Sequence, residues 1–252
     1  ERYYLAKHDI LERDRMAIGE DGALKRAKNV ANNKLVHPFA KELVDQKIQY
    51  LLGKPFSVTS KEEDSKSSIE KLKELFGDSL RGILSSAAKN AVSKGIGWIY
   101  VYYDEHGILK LKSLDPTEMI PFWSDAEHKQ LEAMARVYDR ELYTKDGGRM
   151  AKKNITVVEF WSKDKKGRYT YDIGRLSQVE ETGHFYIETE EESTEKEAVQ
   201  TYSSWGRPPF IPVKYNAEEQ PLLYRIKSLV DEYDRRASDD SNAFEDQPNS
   251  IL

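Results

Sequence analysis

The chain has 252 residues, 38% of them hydrophobic and 33% charged, with a formal net charge of −5. That length suits one large or two modest domains with a sizeable core, and the charge lacks the basic excess of a protein that grips phosphates electrostatically. The absence of cysteine excludes disulfides and thiolate metal sites, and no run of about 18 apolar residues is present to cross a bilayer as a helix.

No secretory signal is read at the start, and a first residue of Glu1 rather than Met suggests a piece of a longer chain. The opening "RYYLAKHDILERDR" sets Leu5, Ile10 and Leu11 among charges, and "GEDG" at 19–22 interrupts it. A short helix or arm followed by a flexible loop is expected there.

"NNKLVHPFAKELVDQKIQYLLGKPF" at 32–56 has helical periodicity. Leu35, Phe39, Leu43 and Tyr50 fall on one stripe, flanked by Val36, Ala40, Val44 and Leu51. Pro38 fits a first turn, so the regular helix is expected from about His37, and Gly53 and Pro55 stop it. After the polar "SKEEDSKSS" at 60–68, a second helix carries Ile69, Leu72, Leu75 and Phe76. A third, over about 79–93, carries Leu80, Ile83, Leu84, Ala87, Ala88, Ala91 and Val92.

The period then changes from helical to alternating. "WIYVYYDEHGILKLKSL" and "ITVVEFWSKDKKGRYTYDI" each place β-branched and aromatic residues around a glycine-containing turn, which predicts two hairpins. "GHFYIETE" and "AVQTYSSW" flank the acidic "EEESTEKE" and predict a third. Helices followed by antiparallel strands give an α+β fold. A last helix, over about 221–246, spans roughly 37 Å. Ile226, Val230, Tyr233, Ala237 and Phe244 form its apolar stripe; Ser228, Asp231, Arg235, Asp239, Asn242 and Asp246 form an acid-rich opposite face.

Catalytic signatures are sparse. A phosphate loop needs a glycine-rich turn leading into a helix, with Ser or Thr after the lysine; Gly53-Lys54-Pro55 follows a helix instead and reads as its terminator. His8, His37, His106, His128 and His184 show no zinc-type pairing. "DEHG" at 104–107 reads as a hairpin tip. Asp115 and Glu118 in "LDPTEMIPFW" could act as paired carboxylates, but Asp-Pro more often opens a turn. No Gly-x-Ser-x-Gly or Gly-x-Gly-x-x-Gly occurs. "GWIYVYY" and "GRYTYDI", near Lys163, Lys165, Lys166 and Arg168, could stack bases, although alternating aromatics usually face a core.

The 32–56 segment resembles the early helix of phage portal proteins, in the branch typical of long-tailed phages of Gram-positive bacteria. "YYLAKHDIL", "LDPTEMIPFWSD", and "PPFIPVKYN" followed by "SLVDEYDRRASDDSNAFEDQPNSIL" resemble further segments of that family in the same order, the last through Asp231, Tyr233 and Ser238. The resemblance implies an N-terminal arm at 1–31, a wing at 32–215, a first stem helix at 221–246 and the start of a clip at 247–252. It implies a structural subunit of a homo-oligomeric ring, usually of twelve copies. The ring sits at one capsid vertex of the virion and is made in the bacterial host cytoplasm. Double-stranded DNA passes through it without sequence-specific binding, and the terminase motor, tail and head-completion proteins, capsid and scaffold are its partners; no membrane, cofactor or metal is involved. A conduit is best served by a wall that repels phosphates, so Asp231, Arg235, Asp239 and Asp246 are expected to face the channel. Ile226, Val230, Tyr233 and Phe244 are expected in subunit packing. Two other readings remain: a magnesium-dependent nucleic-acid hydrolase using Asp115 and Glu118, and a β-rich binding module.

Overall fold

A computed structural model describes the whole chain except residues 28–29, 56–58, 60–65, 147–148, 173, 191–197 and 248–252. In chain order its elements are β1 (Met16–Ile18), β2 (Leu24–Arg26), α1 (Phe39–Leu52), α2 (Lys66–Lys94), β3 (Ile96–Tyr103), β4 (Leu109–Leu114), β5 (Met119–Trp123), β6 (Leu131–Asp146), β7 (Arg149–Trp161), β8 (Lys166–Asp172), β9 (Arg175–Thr182), β10 (Phe185–Glu190), β11 (Ala198–Ser203), β12 (Phe210–Lys214) and α3 (Leu222–Asp246). Helices and antiparallel strands make the fold α+β, as expected. Two compact units divide the chain. One gathers Glu1–Phe56, Ala91–Ile96 and Lys214–Leu252; the other gathers Ser57–Asn90 and Gly97–Val213.

The second unit holds most of the strands. β5 to β9 form a five-stranded sheet in sequence order, β12, β3 and β4 form a three-stranded one, and β10 pairs with β11. The β3–β4 hairpin turns at Asp104, whose carboxylate accepts from the His106 and Ile108 N–H groups at 3.0 and 2.9 Å. The β7–β8 turn closes at Ser162, whose N–H donates to the Lys165 carbonyl at 2.9 Å. Both lie where the glycine-containing turns were predicted; the tip between β10 and β11 lies outside the described residues. Inward residues of the two larger sheets meet in an aromatic core. Met134 faces Trp161 across β6 and β7, the Trp161 ring meets Phe210 edge-on at 4.9 Å, and Tyr100 stacks on Phe210 at 5.1 Å. Trp98, Met134 and Trp161 are essentially inaccessible. The outer strands β5 and β12 each carry a central proline, Pro121 and Pro212, which removes a donor from an edge that would otherwise invite pairing.

The two helices expected within 69–93 form the two halves of α2 and meet at Gly77, whose φ of +41° and ψ of −137° are not helical and suit a residue without Cβ. The side chains of Leu72, Leu75 and Phe76 lie outside the described residues. Other expectations need correction. β6 was not foreseen at all, because Arg136, Asp139, Arg140 and Glu141 break its alternation. α1 begins at Phe39 rather than His37, and 31–38 are not helical. Its buried line is Ala40, Val44 and Ile48, whereas Tyr50, assigned to the apolar stripe, is 94% exposed. The helix does stop at Gly53, whose N–H donates to the Gln49 carbonyl at 2.8 Å. Gly95 is fixed by close approach: a Cβ there would lie 1.9 Å from the Glu219 carbonyl oxygen.

Candidate functional site

α3 is the longest regular helix in the first unit, and its two halves are buried by different chemistry. In the first half, Val230, with Leu223 and Ile226 beside it, packs against Tyr3 and Ala40. In the second half the buried line continues at every fourth residue but turns polar. Asp234, Ser238 and Asn242 are 0%, 1% and 4% exposed. Asn242 therefore does not lie on a solvent face, as its polarity suggested.

These side chains are satisfied by an extended segment laid along the helix. Asp234 accepts from the His37 N–H at 2.9 Å, Ser238 from Leu35 at 2.9 Å, Asn242 from Asn33 at 2.6 Å and Asp246 from Ala31 at 2.8 Å. Every fourth helical residue thus meets every second residue of a strand running the opposite way. The spacings agree: four helical residues rise about 6 Å, and two extended residues span about 6.6 Å. The difference is absorbed because an i, i+4 row slants around the helix. Ser238 also donates to the Asp234 carbonyl at 2.6 Å, and Asn33 Nδ2 reaches Ser241 and Glu245 at 3.2 and 2.6 Å. The backbone donors that 31–37 would leave unpaired against a helix are met without a β-partner.

The outward run of the arm adds side-chain pairs to the same helix. The Tyr3 hydroxyl donates to Asp231. His8 is buried, with Nδ1 at 2.5 Å from Asp234 and Nε2 at 3.2 Å from the Tyr3 carbonyl. Arg13 meets Asp239 at 3.1 Å and Arg15 meets Asp246 at 2.5 Å. Lys227 bridges Asp9 and Asp231 at 2.7 and 2.6 Å. The arm therefore runs out along α3, turns through the β1–β2 hairpin, and returns as the 31–37 segment.

Ion pairing sets the local titration. Asp231, then Asp9, raise the Lys227 ammonium above its ordinary value. Lys227 holds Asp9 below the usual carboxylate range, and the Ala31 N–H and Arg15 do the same for Asp246. Burial, reinforced by Asp231, pushes the Tyr3 phenol up to about 12. Arg235 and Arg236 hold Glu232 down at about 2.

The residues expected at a channel wall are thus placed as follows. Asp231, Asp239 and Asp246 each hold a group from the arm, while Arg235 is on the surface and pairs with Glu232 at 2.6 Å. Of those expected in subunit packing, Ile226 and Val230 pack within this chain. Tyr233 is half-exposed and meets Phe39 edge-on at 5.1 Å, and Phe244 is 66% exposed. Sequence reasoning missed His8, Asp234 and Ser238 as a group. Asp115 accepts from the Thr117 N–H at 2.8 Å as a turn cap, and Glu118 pairs with Arg136 at 2.8 Å, so neither stands beside the other as a free carboxylate. Among the described residues no cluster of three or more His, Cys, Asp or Glu could hold a metal ion, and no helix is long and apolar enough to cross a membrane.

A family model for "Phage portal protein, SPP1 Gp6-like" matches residues 1–252. The portal protein of Bacillus phage SPP1 is 29% identical over 245 residues, covering 97% of this chain and 46% of that protein. The portal protein of Clostridium phage phiCD119 is 25% identical over 252 residues, covering 97% of this chain and 51% of that protein. The chain spans about half the length of the curated relatives it matches.

Proposed function

The chain belongs to the SPP1 Gp6-like phage portal protein family, and we propose that it works as a structural subunit of a portal ring through which DNA enters and leaves the capsid. The observation that carries this reading is the family match along the whole chain. It supports reading the chain as a building block.

The proposal assigns 1–31 to an arm, 32–215 to the wing, α3 to the first stem helix and 247–252 to the approach to the clip. In it, α3 stands beside the channel with the arm bound to it. Asp231, Asp239 and Asp246 then contribute as arm-capped, paired charges, and Arg235 with Glu232 as exposed ones. This is a surface of balanced charge that gives passing phosphates few strong contacts. Phe244 and Tyr233 serve neighbouring subunits, while Ile226 and Val230 serve the subunit's own core. Terminase, tail and head-completion proteins, capsid and scaffold are the proposed partners, twelve the proposed copy number, and the virion the proposed location.

Electron microscopy of the protein, extended to the length of its relatives, tests this in low and high salt. Rings with a central hole wide enough for a duplex are the expected result. Only monomers or dimers at every salt and concentration would overturn it.

A further inference from the structure

We propose that the concavity between the two larger sheets of the second unit binds a nucleoside phosphate unit, with the base continuing the Tyr100–Tyr102 stack and the phosphate on Lys112, Lys166 and Arg168. This inference stands apart from the portal reading and does not depend on it.

Strand register builds the concavity. On β3, Trp98, Tyr100 and Tyr102 alternate onto one face, opposite Leu114, Lys112 and Lys110 of β4. On the larger sheet, Met134 and Arg136 of β6 face Trp161 and Glu159 of β7, which in turn face Lys166 and Arg168 of β8. Both faces are apolar and buried at the Trp98, Met134 and Trp161 end. They become aromatic and cationic one step further along. Two adjoining cavities of about 240 and 220 Å³ open there and share Tyr100, Tyr102 and Lys166 as walls.

The charge inside is opposite to that of the chain. Glu159, 6% exposed, is shared among Arg136, Lys166 and Arg168 at 3.6, 3.4 and 3.8 Å. Glu118 also holds Arg136, and Glu180 also holds Arg168 at 3.4 Å. Lys112, exposed at the mouth, has no carboxylate within ion-pair distance among the described residues. Four cations thus face three carboxylates in a protein whose net charge is −5. The Tyr100 and Tyr102 rings lie 5.3 Å apart and 7° from parallel, a stack that offers a further planar partner its next position. Aromatic stacking beside a cationic lining is how single strands are held without reading their sequence. Cavities of this size admit a base or a phosphate, not a duplex.

The test is fluorescence anisotropy at low salt with a labelled oligothymidylate, with adenosine monophosphate as competitor, and with duplex DNA and heparin as controls. Saturable binding of the oligothymidylate is expected. Tyr102→Ala should weaken it about tenfold or more, and Tyr102→Phe should restore it. Lys112→Gln, at an exposed position that folding does not need, should reduce the slope of log affinity against log salt by about 0.7. Competition by the monophosphate would identify a free nucleotide as ligand; its failure to compete would identify a single strand. Absent binding by both, or equal binding of heparin and duplex with no dependence on Tyr102 and Lys112, would overturn the proposal.

Discussion

Removing the Asp234 carboxylate should cost more than removing any exposed acid on α3, and the reason is burial rather than charge. Asp234 is wholly buried and meets the His37 N–H at 2.9 Å, the His8 ring at 2.5 Å and the His37 ring at 3.4 Å. Asp234→Ala leaves the His37 N–H and His8 Nδ1 without this acceptor, at about 1–3 kcal/mol for each buried group left unsatisfied. Ser238→Ala orphans one N–H, that of Leu35, at about 1–3 kcal/mol. Asp239→Ala removes an ion pair whose partners are 42% and 47% exposed, worth about 0–1 kcal/mol. Asp234→Asn retains an acceptor for His37, and the His8 ring can present either a donor or an acceptor to the amide, so it should cost less than Asp234→Ala. Urea unfolding followed by far-UV circular dichroism ranks the four variants. Tryptophan fluorescence reports on the second unit, where Trp98, Trp123, Trp161 and Trp205 all lie. Hydrogen exchange by NMR should show protection alternating along 31–37, with Ala31, Asn33, Leu35 and His37 slow. Equal costs for Asp239→Ala and Asp234→Ala, or uniform protection along that segment, would refute the reasoning.

Acid should loosen the arm. Asp9 and Asp246 titrate below their ordinary value of 3.8 when folded; groups with depressed pKa contribute stability above the unfolded value and lose it as pH falls through the folded one. Arm protection should hold from neutral pH down to about 3.8 and be lost only below it, as Asp9 and Asp246 take up protons; loss beginning near neutrality would refute this. Phe244→Asp, at an exposed position, should change monomer stability by less than about 0.5 kcal/mol yet abolish rings in electron micrographs of the full-length protein. Unchanged rings would remove Phe244 from the subunit interface.

Local sequence carried the hairpins, because a period of two ending at Asp104 or Ser162 depends only on neighbours. It also carried the stop at Gly53 and the amphipathic start of α3. It did not carry the polar half of α3. Asp234, Ser238 and Asn242 look like a solvent face until 31–37, some 200 positions away, is laid on them; no periodicity encodes that partner. One hint was present: three short polar side chains, poor helix formers that prefer to bond backbone groups, recur at a strict spacing of four within a helix interior. The same cause hid the exposure of Tyr50. A broad apolar stripe on α1 did not say which edge would meet Tyr3 and Val230.

The bond between the returning segment and α3 runs through main-chain N–H groups on one side and side chains on the other, so the two partners tolerate mutation unequally. At 31, 33, 35 and 37 any residue but proline offers the same main-chain donor, and Asn33 and His37 add side-chain contacts to it. Pro38, one place past the last contact, sits where no donor to α3 is required. At 234, 238, 242 and 246 the side chain itself is the acceptor. The path of the strap therefore constrains the sequence of the helix beneath it more than its own.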